Sequence, residues 1–310
     1  MAYIGEMAAG GTAFLWAFSA LLFTLAGKRI GPNTVNIARL AIGLVIIVIM
    51  HWFALGSIFP FETEAWRWGV LALSAILGLV VGDTALFFAF VMIGPRLSML
   101  IMTAVPVFSA LFAWICFGQV ITGIEYIGMA LTIAAIGWVV TENRGDDAPE
   151  SNAKESTAIM PDGRTFLLGI ALSLVGVFGQ TANLVVTKYA LADDYSELSA
   201  TQIRILISLV ALLGYVVVRG QAVEMTRKIA KDSVAFMQTS VGALIGPVLG
   251  IWLSYIAIEH TKIGVASTIM SIPPLLLIPL SAIFLDDRIT MRAVVGTMVA
   301  LIGVTIIFLS

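Results

Sequence analysis

Ten stretches of this chain, each about as long as a bilayer is thick, carry almost no charge, and this removes most architectures at once. They cover residues 7–27, 33–53, 66–91, 96–117, 123–141, 165–190, 199–218, 233–258, 263–285 and 291–309. A helix needs about 20 mostly apolar residues to cross a hydrocarbon core. In that medium each backbone N–H and C=O must be paired within the protein, so only helices and closed barrels span it. The runs are continuous rather than alternating, which excludes a barrel of short strands. Composition agrees: of 310 residues, 60% are hydrophobic and only 12% charged, against about 25% charged in a soluble domain. The expected fold is an all-α integral membrane protein with ten transmembrane helices.

The chain also repeats itself. Residues 104–140 and 271–307 both read as apolar run, short polar turn, apolar run. Pro106 falls on Pro273, Gln119 on Asp286, Thr122 on Thr290 and Gly128 on Gly296, with one residue inserted in the second copy. Between the copies, residues 142–164 are polar and acidic and cannot bury enough apolar surface to fold. The domain reading is therefore a five-helix repeat over 1–141, a linker over 142–164 and a second five-helix repeat over 165–310. A second polar segment, 219–232, is basic and is expected to lie as a short helix at the membrane surface.

Small residues fall in equivalent places. Gly78 and Gly82 in the third run, and Gly246 and Gly250 in the eighth, are spaced i, i+4, a stripe that lets backbones approach closely. Pro106 in the fourth run, and Pro273 with Pro274 in the ninth, are expected to kink their helices. Paired kinks near the midplane suit a hinge or gate beside a substrate site.

The loops are asymmetric. Twelve Lys and Arg lie in loops after odd-numbered runs and three on the opposite side. The positive-inside rule puts the odd loops in the cytoplasm and both termini outside. In the first half the basic loops follow its first and third helices, in the second its second and fourth. That opposite bias is what two inverted halves need. The lone cysteine, Cys116, cannot form an internal disulfide, and the first run is too long, with no preceding Lys or Arg, for a signal peptide.

With two ordered copies of this pattern, the chain resembles the EamA-type transporters of the drug/metabolite transporter superfamily. The shared pattern is an apolar run with proline, then an acidic position, a threonine and glycines at the end of each half. The opening FLWAFSALLFTLAGKRIGP, with Trp16, Lys28 and Pro32, followed by Arg39, fits as well, and Lys188 and Arg204 repeat it. The resemblance covers nearly the whole chain outside the linker. It implies two inverted halves, a central cavity, termini in the cytoplasm (against the charge count) and export or exchange of small metabolites, often amino acids. Gln119 departs from the acidic position that Asp286 keeps. The glutamate that small multidrug resistance relatives place eight residues before a lysine is replaced by Ala20 and Gln180, so the resemblance carries no proton coupling.

Charges within a bilayer are costly and ask for a reason. Arg39 lies about 9 Å into the second helix, and Asp83 a little deeper from the end of the third. Adjacent helices are antiparallel, so the two can meet, either as a static clamp or as a gate. Arg204 is the twin of Arg39, yet the twin positions of Asp83 are Gly250 and Ile251. Arg204 therefore meets an anionic substrate group, snorkels, or pairs with Glu197. Gln180, Asn183, Trp16, Trp252, Ser254 and Tyr255 are expected to line the cavity, or alternatively to bond between helices. His51 and His260 read as interfacial, without ligand spacing.

These residues predict a secondary carrier of a small solute, first among them amino acids. Nucleosides, amphipathic cations and drugs are the alternative cargo. An intramembrane enzyme would need a HExxH, a DDxxD or a Ser with a partner His, and none is present, so no enzymatic activity, metal or cofactor is expected. The expected surroundings are the plasma membrane, crossed many times, and its lipid. No basic run suggests nucleic acid, and assembly as a homodimer stays open.

Overall fold

A computed structural model describes residues 3–142, 162–192, 195–287 and 289–309, without the side chains of residues 117, 255 and 263. Most of the linker, the Asp193–Asp194 pair and the side chain of Tyr255 thus lie outside the described residues. Within them the chain is helical without strands: α1 Ile4–Ile30, α2 Pro32–Leu55, α3 Ala65–Ala75, α4 Asp83–Met102, α5 Val105–Phe117, α6 Gly123–Glu142, α7 Gly163–Ala190, α8 Glu197–Val218, α9 Ala222–Lys231, α10 Ser233–Ala243, α11 Ile251–His260, α12 Ile263–Met270, α13 Pro273–Leu285 and α14 Met291–Leu309. Two π-helical segments, Ile76–Gly82 and Leu244–Gly250, join α3 to α4 and α10 to α11.

Among the described residues nine stretches are long and apolar enough to span a bilayer, and Val105–Cys116 is a shorter apolar helix. One of the nine, Ala65–Met102, runs for 38 residues, about 57 Å if straight. It does not run straight. Gly94 has φ 81° and ψ 158°, outside the helical region, and Pro95 follows it with no N–H to continue the ladder. The break separates the expected third and fourth runs.

The expected proline kinks take another form. The chain turns at Thr103–Ala104 and again at Ser271–Ile272, and a new helix begins after each turn. Pro106 sits at the second position of α5, and Pro273 and Pro274 are the first two residues of α13. Proline fits there because the first-turn N–H groups have no intrahelical partner. These prolines therefore open helices after a break; they do not bend continuous ones. After the fourth helix of each half, Gly118 ends α5 at φ 64° and Asp286 ends α13 at φ 54°. Asp286 thus holds a left-handed cap that the first half fills with Gly118, one residue before the aligned Gln119, and Asp287 beside it accepts from Arg96 Nε at 3.2 Å. Helix starts are capped locally: Thr122 and Glu125 form a reciprocal capping box before α6, and Asp162, Ser196 and Asp232 cap α7, α8 and α10.

The halves exchange partners. Helix α1 runs antiparallel to α10 and α11: Phe23 faces Gly242, Ser19 faces Gly246, Trp16 faces Gly250, and Gly5 meets Thr261. Helix α7 runs antiparallel to α3 and α4: Asn183 faces Gly78, Gly179 faces Gly82 and Gly169 faces Ile93. With α1 and α3 starting on one side, α7 must start on the other, so the halves are inverted, with both ends of the described chain on one face and the linker on the opposite face. The pairing of α6 with α14 has the same reciprocity. A Cβ on Gly128 would lie 2.7 Å from the Gly303 carbonyl oxygen, and one on Gly296 would lie 3.6 Å from that of Ala135.

Each π turn lies where its helix meets the other half. A π turn holds one more residue than an α turn and leaves carbonyls to be satisfied from outside the ladder. Asn36 Nδ2 donates to Leu79 O at 3.2 Å, Ser19 Oγ to Gly242 O at 2.8 Å and Thr12 Oγ1 to Gly250 O at 3.3 Å.

Candidate functional site

The twin arginines enter the membrane from opposite faces. Arg39 is the eighth residue of α2 and comes from the linker side; Arg204 is the eighth residue of α8 and comes from the side of the chain ends. A thread of polar side chains joins them. Asp83, the first residue after the π turn, pairs through Oδ2 with Arg39 Nη2. Gln180 Nε2 donates to Asp83 Oδ1 at 2.5 Å, Asn183 Nδ2 donates to Gln180 Oε1 at 3.2 Å, and Arg204 Nη2 donates to Asn183 Oδ1 at 2.5 Å. The middle of the thread works because Gln180 and Asn183 are three residues apart on α7 and share a helix face.

Neighbours hold the members in place. Asn36 accepts from Arg39 Nη2 at 2.8 Å and donates to Thr84 Oγ1 at 2.9 Å. The Arg39 guanidinium carbon lies 5.0 Å from the centroid of Phe87, a cation–π distance. Asn183 Oδ1 accepts from the Ser74 hydroxyl at 2.7 Å and from the Thr187 hydroxyl at 3.2 Å. Gly78 is what lets Asn183 approach, since a Cβ there would fall 2.7 Å from the Asn183 Cβ.

The cluster holds two guanidinium groups and one carboxylate, so it carries one excess positive charge. Arg204 bears it in the less complete site: its Nε is buried with no hydrogen-bond partner. A buried charge with an unfilled donor is costly, and a planar fork with an empty tooth fits a carboxylate.

The structure sorts the expected residues into groups. Arg39, Asp83, Gln180, Asn183 and Arg204 come together. Arg204 is not the isolated charge that the missing twin of Asp83 suggests, because a neutral amide supplied by α7 reaches it. Trp16 lies against Gly250 at the α1–α11 contact, the inverted counterpart of the Gln180 region, and has no bond to the thread. Trp252 is 57% exposed, and the Ser254 hydroxyl donates to its own helix at Ile251 O, 2.6 Å away. His51, near the end of α2, is buried within the protein, with Nδ1 2.6 Å from Ser57 O and Nε2 3.0 Å from Ser199 Oγ, so it ties α2 to α8. Asn36, Ser74 and Thr187 were not singled out by sequence. Spacing offers no signal for them, since isolated small polar residues are common in membrane helices. No group of histidines, cysteines and carboxylates among the described residues could hold a metal ion.

Comparison with known proteins accounts for the same two halves. A solved structure titled only as the crystal structure of a protein has a TM-score of 0.61 at 13% identity, covering 96% of this chain and 94% of that one. At that identity the likeness concerns the fold. No curated protein matches. The model of the EamA-like transporter family matches twice, over residues 3–141 and again over 167–309. Two copies in tandem cover nearly all of the described helices, so this multi-pass membrane protein belongs to the EamA-like transporter family.

Proposed function

We propose that this protein moves a small metabolite bearing a carboxylate, with zwitterionic amino acids first among the candidates, across the plasma membrane by alternating access, as efflux or exchange. The observation that carries the proposal is the buried, unpartnered Arg204 Nε in a cluster with one excess positive charge. A substrate carboxylate neutralises that charge and fills the open donor, and a charge-assisted contact is stronger than a neutral one. Asp83 keeps Arg39 occupied, which leaves Arg204 as the group that recognises cargo. The excess charge disfavours cationic drugs. The hinge is assigned to the paired π turns, with Gly78, Gly82, Gly246 and Gly250, and to the breaks before Pro106 and before Pro273–Pro274. There the helices carry fewer of their own hydrogen bonds and can reorient as segments.

Counterflow in proteoliposomes tests the substrate class. Amino acids should compete for transport while their amides do not, and Arg204→Lys, which keeps the charge but loses the fork, should narrow that difference more than it lowers folded yield. Equal competition by acids and amides in wild type would remove Arg204 from substrate recognition.

A further inference from the structure

We infer that helix α9 and the end of α1 form a binding site for the headgroup of an anionic phospholipid at the linker-side membrane surface. The short helix Ala222–Lys231 lies between the end of α8 and the start of α10, level with Arg29 near the end of α1. Its apolar face is spent inward: Ala222 and Met225 pack on the cluster around Leu212 and Val216, and Ile229 packs on the cluster around Phe23 and Phe87. Its polar face is left outside. Between that face and α1 is an open groove of about 430 Å³, lined by Arg29, Arg227, Lys228 and Lys231 with Glu224 and Asp232.

The charges in the groove do not cancel. Asp232 is engaged by Arg29 Nε at 2.8 Å, and Glu224 by Lys228 Nζ at 2.7 Å. These two pairs consume both carboxylates and two of the four cations. Arg227 and Lys231 remain, one helical turn apart on the same face, with no carboxylate among the groove residues left for them. Two adjacent cations over a concave surface match a phosphodiester.

A lipid, rather than a free anion, is indicated by what surrounds the groove. Directly after Asp232 the chain enters the membrane as α10 with Val234, Phe236 and Met237 exposed, and Val217 and Val218 at the end of α8 are exposed as well. Apolar surface for acyl chains therefore begins within one turn of the cations. Short basic helices at this level bind anionic lipid through both contributions.

The test uses the full-length protein purified in detergent. Native mass spectrometry is run with phosphatidylglycerol and with phosphatidylcholine, and thermal unfolding is followed with each lipid and with inorganic phosphate. Phosphatidylglycerol should be retained and should raise the unfolding temperature in a salt-sensitive way, while phosphatidylcholine and phosphate do not. Arg227→Gln with Lys231→Gln preserves helix propensity, so the unliganded unfolding temperature should stay at the wild-type value. Binding of phosphatidylglycerol should weaken by about thirtyfold, as expected for two cations near a lipid surface. Equal retention of the two lipids by wild type, unchanged affinity in the double variant, or the same stabilisation by inorganic phosphate would each overturn the lipid site. If the double variant unfolds early, the single variants Arg227→Lys and Arg227→Gln decide: Lys should keep the wild-type affinity and Gln should weaken it about fivefold.

Discussion

Gln180 and Asp83 belong to different halves of the duplication, and the Gln180 amide donates to the Asp83 carboxylate at 2.5 Å. Through this contact the second half reaches the one acidic group of the thread, and through Asn183 the link continues to Arg204. The duplicated helices thus share an asymmetric polar centre: one carboxylate for two symmetry-related arginines.

Removing that carboxylate should be costly. Asp83→Asn keeps the shape but leaves Arg39 without its counter-charge, with both side chains only about a tenth exposed. The expected loss is about 3–5 kcal/mol, the range for breaking a buried pair. It is read as a lower unfolding temperature in detergent together with loss of counterflow. Variants Asp83→Asn and Arg39→Gln that both unfold and transport like wild type would mean that the pair neither stabilises nor gates.

The contact between α6 and α14 depends on missing Cβ atoms. Gly303→Ala would put a carbon 2.4 Å from Thr132 Oγ1 and 2.6 Å from the Gly128 carbonyl oxygen. The backbones must then separate, at about 1–3 kcal/mol for overpacking. Gly137→Ala on the facing helix α6 meets nothing within 4 Å and should be neutral or stabilising by up to about 1 kcal/mol from helix propensity. Paired melting curves of the two variants check the contrast, and equal stabilities would contradict the close packing.

The Arg29–Asp232 pair should leave a signature in acid. Asp232 is held below the usual carboxylate range, first by its hydrogen bond to Arg29 and then by the backbone N–H of Ala235. A folded carboxylate with a depressed pKa stabilises above its unfolded value, about 3.9, and that contribution disappears as pH falls through the folded value. The unfolding temperature of wild type should therefore drop more steeply below about pH 3.9 than that of Asp232→Asn. The difference will be small because the pair faces solvent. Parallel acid profiles would assign the pair no role in stability.

The charge count predicts that the linker side faces the cytoplasm and the chain ends lie outside, whereas the family resemblance implies the reverse. In a Cys116→Ser background, Glu62→Cys should react with a membrane-impermeant maleimide on intact cells, and Gly163→Cys should react only after lysis. The reverse labelling would show that the basic loops face outward.

Much of this molecule was legible in its sequence. The ten apolar runs dictated helices because hydrocarbon leaves the backbone no other partner. An odd number of helices per repeat, with basic loops on one side, required the halves to be inverted. Antiparallel neighbours at matching depth brought Arg39 to Asp83. Other features exist only in the folded chain. The π turns at Ile76–Gly82 and Leu244–Gly250 have no hydrophobic period of their own. They arise where glycine-lined helices press against Asn183 and Ser19 from the opposite half. Asn183 reaches Arg204, and Ser199 reaches His51, across more than one helix, and sequence spacing reports only neighbours along one helix. Sequence therefore determined which segments cross the membrane and in what symmetry. The partner of each buried polar group was decided by inter-helix packing, which sets distances that a single chain's periodicity does not contain.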